Sequence, residues 1–142
     1  MHPIGGGGLA AGTCLSAHYW SPETVVLGGE PIGADDAYRS LKAGRIIPLD
    51  EAHTIADGLR TSLGEHTFKV LHPLLERVVL VTDVEIVEAM RLIWERMKII
   101  IEPSCAVPLA VVKKEPDTFR GKRVGLILTG GNVDLDSWSF NP

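Results

Sequence analysis

The chain has 142 residues, the size of one ordinary domain, and its 45% hydrophobic and 23% charged residues are a globular composition rather than a disordered one. A formal net charge of −4 argues against nucleic acid or anionic membrane as the main partner. No basic region precedes an apolar run at the N-terminus, and Lys98, Glu102 and Pro103 interrupt the apolar stretch 97–112, so neither a signal peptide nor a membrane span is expected and the chain reads as cytoplasmic.

The chain opens with Pro3-Ile4 and four glycines, Gly5, Gly6, Gly7 and Gly8. Without Cβ atoms, successive backbone N–H groups can turn toward one point. The segment Leu9 to Tyr19 reads as a helix whose positive end faces that point, an arrangement suited to an anion such as phosphate. Its small residues, Ala10, Ala11 and Gly12, are expected where the helix packs close to a sheet. Thr24 to Leu27 reads as a short buried strand, bounded by Gly28-Gly29 and followed by a polar loop from Glu30 to Asp36. Asp35 or Asp36 starts a helix to about Lys42. Thr54 to Gly58 begins a helix-like stretch that Gly64 closes, and Thr67 to Leu75 is helical again. Val78 to Val81 is a second buried strand. Thr82-Asp83-Val84-Glu85 is a capping box, and Ile86, Val87, Met90, Ile93, Trp94 and Met97 recur at helical spacing, predicting a helix from Asp83 to about Ile99. Pro103 ends that element and Ser104 caps a short helix through Ala110 to Val112. Val124 to Leu128 is a third buried strand, followed by Thr129-Gly130-Gly131-Asn132. The two cysteines, Cys14 and Cys105, lack metal-ligand spacing and read as reduced thiols.

Continuous apolar strands alternating with helices predict an α/β domain, a parallel sheet flanked by helices. Ligands in such sheets bind at the strands' C-terminal ends, so the glycine run, the Glu30–Asp36 loop and the Thr129–Asn132 loop are expected to converge on one cleft. Gly5-x-Gly7-x-x-Ala10 also fits a dinucleotide-binding fingerprint, with Glu30 about twenty residues on. The strand that should precede its first glycine is missing, since only residues 1–4 are available. No Lys-Ser/Thr follows the glycines, which excludes an ATP-type P-loop.

A more specific match lies in an ordered set of motifs: Pro3-Ile4-Gly5-Gly6-Gly7-Gly8-Leu9, Glu30-Pro31 with Ala34-Asp35-Asp36, Ile55-Ala56-Asp57-Gly58, Trp94-Glu95-Arg96-Met97-Lys98, Ile101-Glu102-Pro103-Ser104 and Leu128-Thr129-Gly130-Gly131-Asn132-Val133-Asp134. Over almost its whole length the chain resembles the serine racemase and threonine/serine dehydratase family, pyridoxal-phosphate enzymes of fold type II. The resemblance implies that Gly5 to Gly8 bind the cofactor phosphate, that Gly58 lies against the cofactor, that Glu102 stands near its ring, and that Thr129 places a hydroxyl at the pyridine nitrogen. It also implies a divalent-cation site, Mg²⁺ or Ca²⁺, formed by Glu30, the carbonyl of Ala34, and Asp36, an all-oxygen set that suits such hard ions. For Asp35 and Asp36 the sequence by itself suggests only a helix N-terminal pair favoured by the dipole.

The family's Schiff-base lysine belongs to a motif upstream of the glycine loop, and Lys42, Lys69, Lys98, Lys113, Lys114 and Lys122 sit in no such motif. No catalytic residue is therefore assigned in this chain. It reads as a single truncated large domain, the C-terminal half of a dehydratase or racemase of hydroxy amino acids, inactive alone and dependent on a complementary N-terminal chain. The other readings are a non-catalytic remnant that binds a ligand or partner and, less specifically, a nicotinamide-binding domain. Apolar surface left uncovered predicts a homo-oligomer.

Overall fold

The computed structural model describes residues 1–136, 138 and 140. The elements are, in order, β1 (His2–Pro3), α1 (Gly8–Trp20), β2 (Leu27–Pro31), α2 (Asp36–Ala43), α3 (Glu65–Leu74), β3 (Arg77–Val81), α4 (Asp83–Met97), α5 (Pro103–Lys114) and α6 (Pro116–Phe119). The strands form one parallel sheet in the order β1-β2-β3, with His2 opposite Gly28 and Leu27 to Pro31 opposite Arg77 to Val81.

Alternation along β3 divides the core. Val78 joins Ile4, Ala10, Ala11, Cys14 and Leu71 on the face covered by α1, α2 and α3. Val79 and Val81 join Ile86, Met90, Val107 and Val111 on the face covered by α4 and α5. A parallel sheet buried on both sides reads as a continuous apolar run, which is what residues 78–81 show. Gly29 lets α5 lie directly on β2: a Cβ there would come 2.7 Å from Val107 Cγ1. An Arg77–Glu115 ion pair ties the end of α5 to the start of β3, so the other end of α5 is delivered to the mouth of the glycine loop.

Several boundaries differ from the sequence expectation, each for a local reason. β2 begins at Leu27 instead of Thr24, because Thr24 closes a turn on Ser21 with its N–H and hydroxyl. Glu30 is therefore part of the strand, not of the loop after it. The strand expected to be missing before the glycines exists as β1, with Ile4 N–H donating to the Gly29 carbonyl at 2.9 Å. Gly12 faces outward, away from the sheet. Residues 54–64 are not helical beyond one 3₁₀ turn, Asp57–Leu59; the Asp83 carboxylate anchors them by accepting from Thr54 Oγ1 (2.6 Å) and Ile55 N (3.0 Å). α4 has the predicted capping box but stops at Met97, where Lys98 takes a left-handed φ of 59°. Pro103 opens α5 instead of ending its predecessor, at a first-turn position where its missing N–H costs nothing, and α5 continues to Lys114. Val124 to Leu128 forms no strand: it runs beside Met1, bonded at Gly125 O and Ile127 N, because two-residue β1 offers too short an edge for a ladder.

His2 is an anomaly within this core. It is fully buried, its Nδ1 lies 3.3 Å from the Pro3 carbonyl, and its Nε2 has no partner. Burial pushes its pKa down to about 4. A histidine depressed in the fold contributes full stability above its unfolded pKa and loses it as pH falls from about 6.5 toward 4, a loss of about 3 kcal/mol. His2→Val is expected to stabilise the chain at pH 7 by about 1–2 kcal/mol, by removing an unsatisfied buried nitrogen, and to abolish that acid limb. Urea unfolding across pH 4–8 checks both; a destabilised valine variant with an unchanged acid limb would contradict them.

Candidate functional site

The glycine loop is built for close approach. Gly7 is the N-cap of α1 with φ 84°, a conformation that favours glycine, and a Cβ there would meet Leu63 Cδ1 at 2.6 Å and Thr67 Oγ1 at 2.8 Å. The loop is pinned from behind, where the Gly6 carbonyl accepts from Thr67 Oγ1 at 2.7 Å and from Gly64 N at 3.3 Å. No side chain caps α1 and its first turn carries no acid, so the helix presents its positive end and its first N–H groups to an open cleft. A Cβ on Gly8 would meet nothing within 4 Å.

That cleft has a volume of about 270 Å³, near the lower end for small-molecule sites. All seven residues expected at the cofactor line it: Gly5, Gly6, Gly7, Gly8, Gly58, Glu102 and Thr129. Ser104 lines it too, a residue for which the sequence suggests only a capping role. The first turn of α5 organises the wall. Gly58 N donates to Ser104 Oγ at 3.0 Å, Thr129 N to Cys105 Sγ at 3.0 Å, and Asn132 N to Glu102 Oε2 at 3.0 Å. Glu102 N in turn donates to the Gly130 carbonyl at 3.1 Å. The one sequence signal for Ser104 and Cys105 is their position, two adjacent side chains with acceptor atoms directly after a Pro that can open a helix.

The third expected cluster does not join this cleft; Glu30, Ala34 and Asp36 line no part of it. They lie at the C-terminal end of β2, on the same edge of the parallel sheet as the glycine loop, all at most 1% exposed, with Leu63 standing between Asp36 and Gly7. The Glu30 carboxylate accepts from Ala37 N and Tyr38 N at the start of α2, at 3.0 and 2.9 Å. Asp36 Oδ2 accepts from Leu63 N at 2.7 Å, whereas its Oδ1 is buried without a partner. Burial raises the pKa of Glu30 to about 8 despite its two N–H donors, and burial also raises Asp36. The orphaned Asp36 oxygen is the one unmet acceptor that a hard cation would answer, whereas both Glu30 oxygens already accept N–H groups. Among the described residues no group of three acidic, His or Cys side chains is placed to hold a metal, so a cation here would rest on two carboxylates and a carbonyl.

Comparison with known proteins places these features in a family. A family model described as "Pyridoxal-phosphate dependent enzyme" matches residues 1–130. The chain is 52% identical over 139 residues to β-hydroxyaspartate dehydratase of Paracoccus denitrificans, covering 98% of this chain and 44% of that protein. It is 50% identical over 141 residues to serine racemase of Dictyostelium discoideum, covering 96% and 44%. Among solved structures, maize serine racemase superposes with a TM-score of 0.89 at 43% identity, covering 94% of this chain and 42% of that one. The chain thus spans less than half the length of these relatives. No helix among the described residues is long and apolar enough to cross a membrane.

Proposed function

The chain belongs to the pyridoxal-phosphate dependent enzyme family, with the fold type II architecture, and from that premise we propose that it is the cofactor-holding part of an enzyme acting on small hydroxy amino acids, by β-elimination or racemisation. One observation carries this reading: the glycine loop, Gly58, Glu102 and Thr129 share one open cleft at the positive end of α1. Gly5 to Gly8 would hold the cofactor's phosphate with backbone N–H groups, and Gly58 would leave room for the ring. Thr129 would offer a neutral hydroxyl to the ring nitrogen. Glu102, with one oxygen held by Asn132, would stand beside the ring. When bound, pyridoxal phosphate supplies an electron sink for charge developing at the substrate's α-carbon.

Among the described residues that line the cleft, none is a lysine. Lys113 and Lys114 pair with Glu88 and Glu85, and Lys42 lies over the Tyr38 ring. The 142 residues are thus proposed to bind the cofactor without turning substrate over, the base coming from protein outside them, in a complementary chain or segment. Borohydride reduction after incubation with pyridoxal phosphate, followed by mass spectrometry, tests this. The expected result is no stoichiometric label on a single lysine and no deamination of serine or threonine. One fully labelled lysine accompanied by turnover would overturn it.

The outer face of α1 supports the need for a covering partner. Ala10, Ala11 and Cys14 face the core, while Leu9, Leu15, Tyr19 and Trp20 are exposed among Thr13, Ser16 and His18, Trp20 by 87%. Large apolar side chains left exposed together on one element mark a surface for association. Sedimentation at micromolar concentration is expected to show a dimer or larger species, and a stable monomer would contradict the expectation.

A further inference from the structure

Resting on the reading that the cleft holds pyridoxal phosphate, we infer that Cys105 is a positioning residue whose thiol fixes Thr129 at the cleft wall. It forms one arm of a clamp whose other arm is Ser104 on Gly58.

Ser104 and Cys105 are adjacent in the first turn of α5, 2% and 0% exposed. Neither side chain is spent on its own helix. Ser104 Oγ accepts the N–H of Gly58, 46 residues earlier, and Cys105 Sγ accepts the N–H of Thr129, 24 residues later. Consecutive side chains on a helix point in different directions, so one rigid turn reaches two walls of the same cleft. One helical turn thereby links Gly58 and Thr129 directly, in addition to the bonds each loop makes for itself, among them Gly58 N to Asp57 Oδ1 at 2.9 Å.

Thr129 depends on this arm more than Gly58 does on its own. The segment 121–134 contains no helix or strand, and Thr129 itself is exposed. Its backbone N–H is nonetheless engaged, by a buried sulfur at 3.0 Å. The flanking residues are held by the preceding helix cap: Gly130 O by Glu102 N, and Asn132 N by Glu102 Oε2. A Cβ on Gly130 would lie 3.1 Å from both Glu102 oxygens, so the segment's backbone runs directly against the Glu102 carboxylate. The thiol is the contact that fixes the backbone of Thr129, and hence the origin of its side chain. A serine at position 105 would keep an acceptor but reach less far, since a C–O bond is shorter than a C–S bond; a valine would keep the bulk and lose the acceptor.

Amide hydrogen exchange on the ¹⁵N-labelled full chain tests this, alongside titration with pyridoxal phosphate. In the wild-type chain the Thr129 amide is expected to exchange slowly although the residue is exposed. In Cys105→Val it should exchange roughly tenfold faster, the change that one lost hydrogen bond implies, with β3 amides unaffected. The affinity for pyridoxal phosphate should fall roughly threefold or more with it. Cys105→Ser should lie between the two in both readouts. It carries the test if the valine protein does not fold. An unprotected Thr129 amide in the wild type overturns the inference, as does a folded Cys105→Val that exchanges like the wild type. Identical behaviour of the serine and valine variants also overturns it, since that marks a packing role alone. A wild-type chain that does not respond to pyridoxal phosphate overturns the cofactor reading separately, and exchange then still decides whether Cys105 holds Thr129.

Discussion

The Gly33→Ala variant is expected to lose about 3 kcal/mol of stability, the upper range for forced overpacking and a large share of what a small domain has. Gly33 lies in the 3₁₀ turn Ile32–Ala34 that joins β2 to α2. A Cβ there would be driven into the backbone carbonyl of His53, and the two segments are already locked because His53 N donates to Gly33 O at 2.8 Å. The obstacle is main chain, not the tip of a flexible side chain, so relief requires moving the segment that carries Thr54 and Ile55 off Asp83. The requirement is closeness rather than an unusual dihedral, since the glycines with positive φ are Gly7, Gly44 and Gly121. Gly12→Ala is the contrasting control. Gly12 is exposed in mid-helix with nothing within 4 Å, and alanine there should add up to about 1 kcal/mol. Urea unfolding of both variants measures the contrast; Gly33→Ala unfolding at the wild-type midpoint would refute the packing described.

Millimolar Mg²⁺ or Ca²⁺ is expected to stabilise the chain by about 2.7 kcal/mol once its concentration reaches a hundred times its dissociation constant. The proposed seat is the buried pair Glu30 and Asp36 with the Ala34 carbonyl. Without a cation burial holds Glu30 toward its protonated form and leaves one Asp36 oxygen unpartnered. A divalent ion would answer that oxygen and favour the charged form of Glu30. Asp36→Asn should remove most of the response while leaving pyridoxal phosphate binding in place, because the two sites share no lining residue. Thermal unfolding with added cation and with EDTA reads the effect. Equal midpoints in both, or an Asp36→Asn chain that responds like the wild type, would rule the site out.

The features legible in the sequence are those set by local chemistry. The Thr82–Glu85 capping box, the β3 run and the helical period of α4 depend on neighbours a few residues away, and each appears where the pattern put it. The β2 shift was not legible, because its register is fixed by pairing with residues 77–81 and its Gly28-Gly29 carries no strand signal of its own. The failed strand at 124–128 has the right composition but lacks a partner edge, a fact about β1 rather than about itself. At the cleft, seven residues were found through ordered motifs, whereas Ser104 and Cys105 act through bonds spanning 46 and 24 residues. Nothing in their immediate neighbourhood encodes those partners. The Glu30–Asp36 pair does sit at the mouth of β2, but its carboxylates turn to the N–H groups of Ala37, Tyr38 and Leu63 instead of lining the cleft, and the local sequence does not encode those partners.

The glycine loop at the start of α1 is proposed to be a working phosphate cradle for pyridoxal phosphate. The most direct measurement is an amide-resolved titration of the wild-type chain, in parallel, with pyridoxal phosphate, pyridoxal and inorganic phosphate. Saturable shifts are expected at Gly5 to Gly8 with both phosphate-bearing ligands and at Gly58 and Thr129 with pyridoxal phosphate, with none at Gly5 to Gly8 for pyridoxal. Shifts that avoid the glycine loop, or that gather around surface lysines for pyridoxal and pyridoxal phosphate alike, would contradict it.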